Sequence, residues 1–183
     1  MRKIILNLAV SLDGFIEGPK GEYDWCFSDQ DYGMSEFLEQ IDCLLMGRKS
    51  YETLREAVSK AGPDSGGDPF AGKHKYIVSS KLESVQTGET VIAGDFKAAI
   101  ARLKNEDGKG GDGKNIWLFG GAQLTDALLQ EKLVDEFQVS VHPLLLGAGT
   151  RLFRQLDSRV PLELAGCKQY DSGLVQLSYR CRW

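Results

Sequence analysis

The sequence predicts an α/β three-layer sandwich built on a mixed, mostly parallel central sheet and finished by a C-terminal antiparallel hairpin. Two patterns carry that prediction. Over the earlier part of the chain, apolar runs of strand length (KIILNLAV, CLLMG, YIVSS and IWLFG) alternate with stretches whose apolar residues recur at helical spacing. Later, LELAGCKQY and LVQLSYRCRW alternate with period two about Asp171, Ser172 and Gly173, as a hairpin at a sheet edge does. The 183 residues, 42% hydrophobic, suffice for one sizeable core and not for two, so residues 1–183 are expected to form a single domain.

In chain order, Lys3 to Val10 is a buried-strand candidate that runs into SLDGFIEG, a glycine-punctuated loop packing against its surroundings. Met34, Phe37, Leu38 and Ile41 follow an acidic stretch at helical spacing, which predicts a helix from near Asp29 to Asp31 until near Asp42. CLLMG is a short central strand, and Gly47, Arg48, Lys49 and Ser50 open a second helix through Leu54. The stretch from Ser59 to Lys75, rich in Gly, Pro, Ser and Asp, reads as a long mobile loop ahead of a strand from Tyr76 to Ser80. A strand from Thr90 to Ala93 precedes a helix capped by Asp95, with Phe96, Ile100 and Leu103 on one face. A flexible polar insert, Asn105 to Asn115, leads to Ile116–Leu124. There a strand meets Gly120 and Gly121, and the next helix carries Leu124, Leu128 and Leu129 to near Lys132. From Val134 a strand turns Phe137, Val139 and Val141 inward until Pro143 stops its hydrogen-bond ladder.

Three of these strand ends are chemically alike. Gly47 to Ser50, Ser79 to Lys81 and Gly120 to Gln123 each set glycines, hydroxyls or cations where a strand gives way, twice at a helix start. Unpaired N–H groups of a first helical turn, with the helix dipole, favour an anion by about 0.3–1 kcal/mol per interaction. Arg48 adds a bidentate fork, and glycine lets the backbone come close. Singly, each has an ordinary reading: a turn glycine, turn-forming serines, a solvated Arg-Lys pair. Ligands of open α/β sheets sit at the carboxyl ends of the strands, and there the three form one phosphate-compatible group.

Composition narrows the function classes. A net charge of -4, with no cluster of lysine and arginine interleaved with aromatics, disfavours nucleic acid. No stretch approaches a membrane span, and the short apolar run after Arg2 and Lys3 lacks a cleavage site. Cys26, Cys43, Cys167 and Cys181 are scattered, and Cys43 fits a reduced core thiol, so a cytoplasmic, disulfide-free protein is expected. His74 and His142 do not suggest a metal pair, and His142 reads as a strand-end hydrogen bonder.

SLDGF, MGRKSYE, VSS, FGGAQL and PLLLGAGTRLF, in that order over nearly the whole chain, resemble the dihydrofolate reductase-like superfamily. More closely they resemble its branch related to the C-terminal reductase domain of the bifunctional riboflavin-biosynthesis deaminase/reductase. The resemblance implies an NADPH-dependent reductase holding its cofactor across the carboxyl edge of the sheet. It puts Arg48 with Ser79 or Ser80 at the adenosine 2'-phosphate, and Lys49 and Ser50 on the pyrophosphate side. Gly120, Gly121, Ala122 and Gln123 then form the turn under the pyrophosphate, where the family often has a cis Gly-Gly bond. Leu124 closes on the same surface, and Ala9 with Phe15 or Ile16 lines the nicotinamide. Chemistry agrees on NADPH over NADH, because a 2'-phosphate calls for the cations and hydroxyls of Arg48, Ser80 and Lys81.

The proton donor is less constrained. In dihydrofolate reductases a carboxylate on the first helix, shortly after a Pro-Trp pair, binds the pterin. Here Trp25 stands without the proline, and the corresponding spacing reaches Asp31, with Asp29 its nearest rival. Asp31 is either a partly buried acid serving the substrate ring or a cap in an acidic first turn. Ser140 matches a substrate-facing hydroxyl of the family and equally fits the outward half of its strand's alternation. The expectation is an NADPH-dependent, homodimeric reductase of a small heterocyclic or ribosylamino-pyrimidine or pterin-like substrate. The alternatives are a catalytically silent nucleotide-binding module and a scaffold acting through its dimer surface.

Overall fold

The computed structural model describes residues 1–61, 68–82, 85–106, 113–154 and 156–183. Its elements are β1 (Ile4–Ser11), β2 (Phe15–Glu17), α1 (Met34–Glu39), β3 (Ile41–Gly47), α2 (Arg48–Ala61), β4 (His74–Val78) and β5 (Glu89–Ile92). They continue with α3 (Phe96–Asn105), β6 (Asn115–Gly120), α4 (Ala122–Gln130), β7 (Glu136–His142), β8 (Thr150–Arg151), β9 (Leu162–Gln169) and β10 (Val175–Cys181). Eight strands form one sheet in the order β5-β4-β3-β6-β1-β7-β10-β9, while β2 and β8 make a separate two-stranded ribbon. The sheet is parallel from β5 to β7, and β10 and β9 run antiparallel.

Alternation along β1 divides the core between two faces. Ile4, Leu6 and Val10 pack with Ile100 and Leu103 of α3 and Leu124, Leu128 and Leu129 of α4. Ile5 belongs to the opposite cluster, with Phe37 of α1, Tyr51 of α2, Met46 and Trp117. Period two in the strands and period 3.6 in the helices therefore generate the three layers. At the amino ends of the strands, ion pairs bolt the layers together. Arg2, 5% exposed, pairs with Asp42, while Lys104, 6% exposed, holds Asp135 at 2.7 Å.

The structure corrects several element boundaries. The first helix begins at Met34, not among Asp29 to Asp31, because Tyr32 (φ 49) and Gly33 (φ 80) are left-handed; it ends at Glu39, and Asp42 lies in β3. The α2 helix runs past Leu54 to Ala61, so part of the expected loop is helical, and His74 and Lys75 at its far end are already in β4. The centre of that loop, 62–67, lies outside the described residues, as does 107–112 of the polar insert. The β4 strand stops at Val78 because the Ser79 hydroxyl accepts the N–H groups of Lys81 and Leu82, each at 3.1 Å, and so makes a turn. The α4 helix stops at Gln130, two residues before Lys132, which is itself left-handed (φ 56). Asp95 does cap α3, accepting from Ala98 N at 3.0 Å, and the terminal hairpin forms as expected.

Candidate functional site

The phosphate-compatible strand ends come together because β4, β3 and β6 are adjacent, with β1 next to β6. Gly47 is level with Val78 across one strand pair, and Met46 with Gly120 across the next. The α2 and α4 helices therefore start side by side on one edge. Their starts approach so closely that a Cβ on Gly121 would meet Ser50 Oγ at 3.3 Å, and one on Gly47 would lie 4.0 Å from Leu124 Cβ. Gly120 (φ 128) and Gly121 (φ 90) occupy backbone conformations that side chains resist, and Gly121 caps α4 without a side chain over its first N–H groups. The bond between these glycines is trans, contrary to the cis expectation.

Around this turn Ala122 and Leu124 are buried, and Gln123 is exposed. Arg48 is partly exposed and Lys49 exposed, with Arg48 Nη1 held by Glu52 Oε1 at 2.6 Å. Ser80 and Lys81 are exposed beyond β4, whereas the Ser79 oxygen is engaged in its turn. A polyphosphate fits this donor set: the uncapped start of α4, the acid-free first turn of α2, the Ser50 and Ser80 hydroxyls, and the cations Arg48, Lys49 and Lys81. A cavity of about 510 Å³ runs beside α4 and meets the turn at Gln123. Asp126 and Asp157 outnumber Arg154 in its wall, so a phosphate belongs at the strand edge and not in that cavity.

The residues expected beside the nicotinamide separate. Phe15 is buried, its ring 4.6 Å beneath the Arg151 guanidinium carbon in the small ribbon. Ile16 packs against the main core and keeps partial exposure. Ala9 is half-exposed and lies level with Ser140 on β7, which is in turn level with Gln176 on β10. Asn7, Gln138 and Ser178 make the adjoining row of the same face, and Asn7 Nδ2 donates to Gln138 Oε1 at 3.1 Å. Where the apolar cluster of the α1/α2 side ends, a strip of amides and hydroxyls continues. Sequence reading found Ser140 in this strip and missed Asn7, Gln138, Gln176 and Ser178; the polar residues alternating in QVSVH and VQLSY were the available signal.

Asp31 is exposed, not partly buried. Its Oδ1 accepts from Ser35 N at 3.0 Å and Ser35 Oγ at 2.7 Å, and these bonds hold its carboxyl below the usual range. It thus stays ionised and bonds into the first turn of α1 at Ser35, while the N-cap position itself is Gly33. Asp29 accepts from the Tyr32 hydroxyl at 2.8 Å. His142 is 2% exposed; its Nδ1 contacts Ser140 O at 3.1 Å, and its Nε2 accepts from Phe27 N at 3.1 Å. Burial pushes its pKa down, so this neutral imidazole pins the segment carrying Trp25 and Phe27 to the sheet.

One carboxylate that sequence reading passed over is Asp13. It accepts from Ser11 Oγ at 2.6 Å, Gly147 N at 2.8 Å and Leu146 N at 3.1 Å, clamping the SLDGF loop to the PLLLGAG loop. The Ser11 bond above all holds its pKa down to about 2.

The RibD C-terminal domain model matches residues 2–176. The chain belongs to that family. It is 39% identical over 182 residues to the uncharacterized protein YyaP of Bacillus subtilis, covering 97% of this chain and 94% of that one. A Shewanella sp. PV-4 protein provisionally assigned to riboflavin biosynthesis superposes with a TM-score of 0.81 at 26% identity, over 99% of both chains. The Thermotoga maritima deaminase/reductase superposes with a TM-score of 0.72 at 15% identity, over 99% of this chain and 57% of its own length, a likeness of fold. The architecture is thus the dihydrofolate reductase-like sandwich of RibD C-terminal domains.

Proposed function

We propose that this RibD-family chain is an NADPH-dependent reductase transferring a hydride to a small heterocycle of the pyrimidine or pterin type. The observation that carries the reading is the convergence of two helix starts, α2 and α4, on adjacent strand ends. There Gly47 and Gly121 keep the backbone bare, and Arg48, Lys49 and Lys81 supply positive charge. NADPH, when bound, supplies the hydride. The chain's own residues hold and orient it. The first-turn N–H groups of α4 and the Ser50 hydroxyl take the pyrophosphate, and Arg48 with Ser80 and Lys81 takes the 2'-phosphate. Ala9 and Ser140 form the floor where the nicotinamide and substrate rings meet. Asp31, ionised, orients the substrate and does not donate the proton.

The test is a fluorescence titration with NADPH. Micromolar binding is expected, and Arg48→Ala should weaken NADPH about tenfold, about 1.4 kcal/mol, while leaving NADH unchanged. Protein that neither quenches nor shifts NADPH fluorescence at micromolar cofactor overturns the reading. The exposed position of Asp31 favours a second reading, a module that binds NADPH without turnover; absence of NADPH oxidation with every pterin, pyrimidine and flavin tried would select it.

We further infer a homodimer. Beyond β7 the α3/α4 face of the sheet carries Leu164 (57% exposed) and Leu162 (44%), and Phe153 (44%) stands against Phe137 of β7, their ring centroids 5.9 Å apart. Such exposed apolar side chains suit a second copy of the chain. The four free thiols agree with a reducing, cytoplasmic setting.

A further inference from the structure

We propose that Gln176 and Tyr170, together with Ser140, form the substrate-recognition cluster, and that it selects an uncharged flat ring with a lactam edge and no phosphate arm. The proposal rests on the reductase reading and names the substrate class of that same site. Gln176 Nε2 lies 3.5 Å from both Ser140 Oγ and Tyr32 O, long distances that leave the amide weakly engaged. The Tyr170 hydroxyl is buried and has no partner among the described residues. It lies 3.6 Å, and Gln176 Oε1 3.9 Å, from where a Cβ on Gly33 would be, so amide and phenol converge on one glycine with no side chain. Tyr32 stands edge-on to Tyr170 at 4.9 Å and extends the apolar wall.

A weakly engaged carboxamide can exchange those long bonds for a ligand and offers a donor and an acceptor side by side, the complement of a ring N–H beside a C=O. A buried O–H without a partner is costly, and a ring carbonyl would satisfy it. Charge argues against a phosphate. The cation in contact with these rings is Lys168, 4.8 Å over Tyr170, whereas the segment packed against them brings Asp29 and Asp31. A phosphate dianion calls for several cations, as at the opposite end of the cleft.

The experiment measures tryptophan-fluorescence quenching by lumazine, uridine and uridine 5'-phosphate, with and without NADPH. Lumazine is expected to bind. Gln176→Leu should weaken it at least tenfold and Tyr170→Phe several-fold, both with unchanged NADPH affinity and circular dichroism. Uridine 5'-phosphate should bind no better than uridine. Wild-type lumazine affinity in Tyr170→Phe, or in a folded Gln176→Leu, overturns the proposal, as does a tenfold gain from the 5'-phosphate. If Gln176→Leu does not fold, Tyr170→Phe decides. Failure of NADPH itself to bind counts against the reductase reading alone, while lumazine binding without cofactor that both variants weaken still supports the cluster, and wild-type protein that binds no lumazine in either condition overturns it.

Discussion

Arg48 shows how a single side chain stands between two partners. Its ion pair with Glu52 spans one helical turn at the surface, where such pairs contribute only about 0.3–0.5 kcal/mol. A phosphate can displace it, so Glu52→Gln should tighten NADPH binding a few-fold without altering stability; an unchanged dissociation constant would remove Arg48 from the phosphate site. His142 gives a pH prediction. Its folded-state pKa lies below the ordinary 6.5, so the unfolded chain takes up a proton first as pH falls. Stability is therefore full above pH 6.5 and declines below it, and His142→Gln should flatten urea midpoints measured between pH 7.5 and 5.5. At this scale the sequence was partly legible. Arg48 and Ser80 could be read from their place after a strand, but the burial of Phe15 could not, because Arg151, its ring partner, lies far along the chain.

Elements were legible wherever apolar period and punctuation agreed. The strand-to-helix junctions of β3–α2 and β6–α4 were predicted closely, since a strand of buried residues ends in glycine at each, although both helix ends were misplaced. The start of α1 was misjudged because acids and spacing alone suggested a helix, while the left-handed pair Tyr32 and Gly33 forbids one before Met34. The β2–β8 ribbon was invisible because its strands hold three and two residues, too few to show a period. Its geometry depends on Gly149, at φ 137, where an added Cβ would land on the Glu17 carbonyl oxygen. Gly149→Ala should cost roughly 2–4 kcal/mol through strain and overlap, read from the urea midpoint. A cost under about 0.5 kcal/mol would show that the ribbon yields easily.

The whole molecule is asymmetric between its two strand edges. The amino edge is sealed by Arg2–Asp42 and Lys104–Asp135, whereas the carboxyl edge is left to bare glycines and exposed cations. Removing Lys104 leaves Asp135 without its cation, so Lys104→Ala should destabilise by about 3 kcal/mol in equilibrium unfolding yet leave NADPH affinity intact. At the far end of the sheet, Leu164→Glu should convert a dimer into monomers in sedimentation; a wild-type protein already monomeric at micromolar concentration would refute the association. The mixed sheet and its terminal antiparallel hairpin were legible in the sequence, but the strand order was not, and the polar strip across β1, β7 and β10 emerges only once strands from opposite ends of the chain lie side by side.

Because β10 runs against β7, the chain leaves the sheet on the edge where it entered. Only β7 separates β10 from β1, so the two ends lie on the order of 10 Å apart, behind the sheet from the proposed cleft. A tether, reporter or second catalytic module joined at either end would hang from the sealed side. Joining the ends with a short linker and reopening the chain elsewhere would leave the carboxyl edge of the sheet untouched.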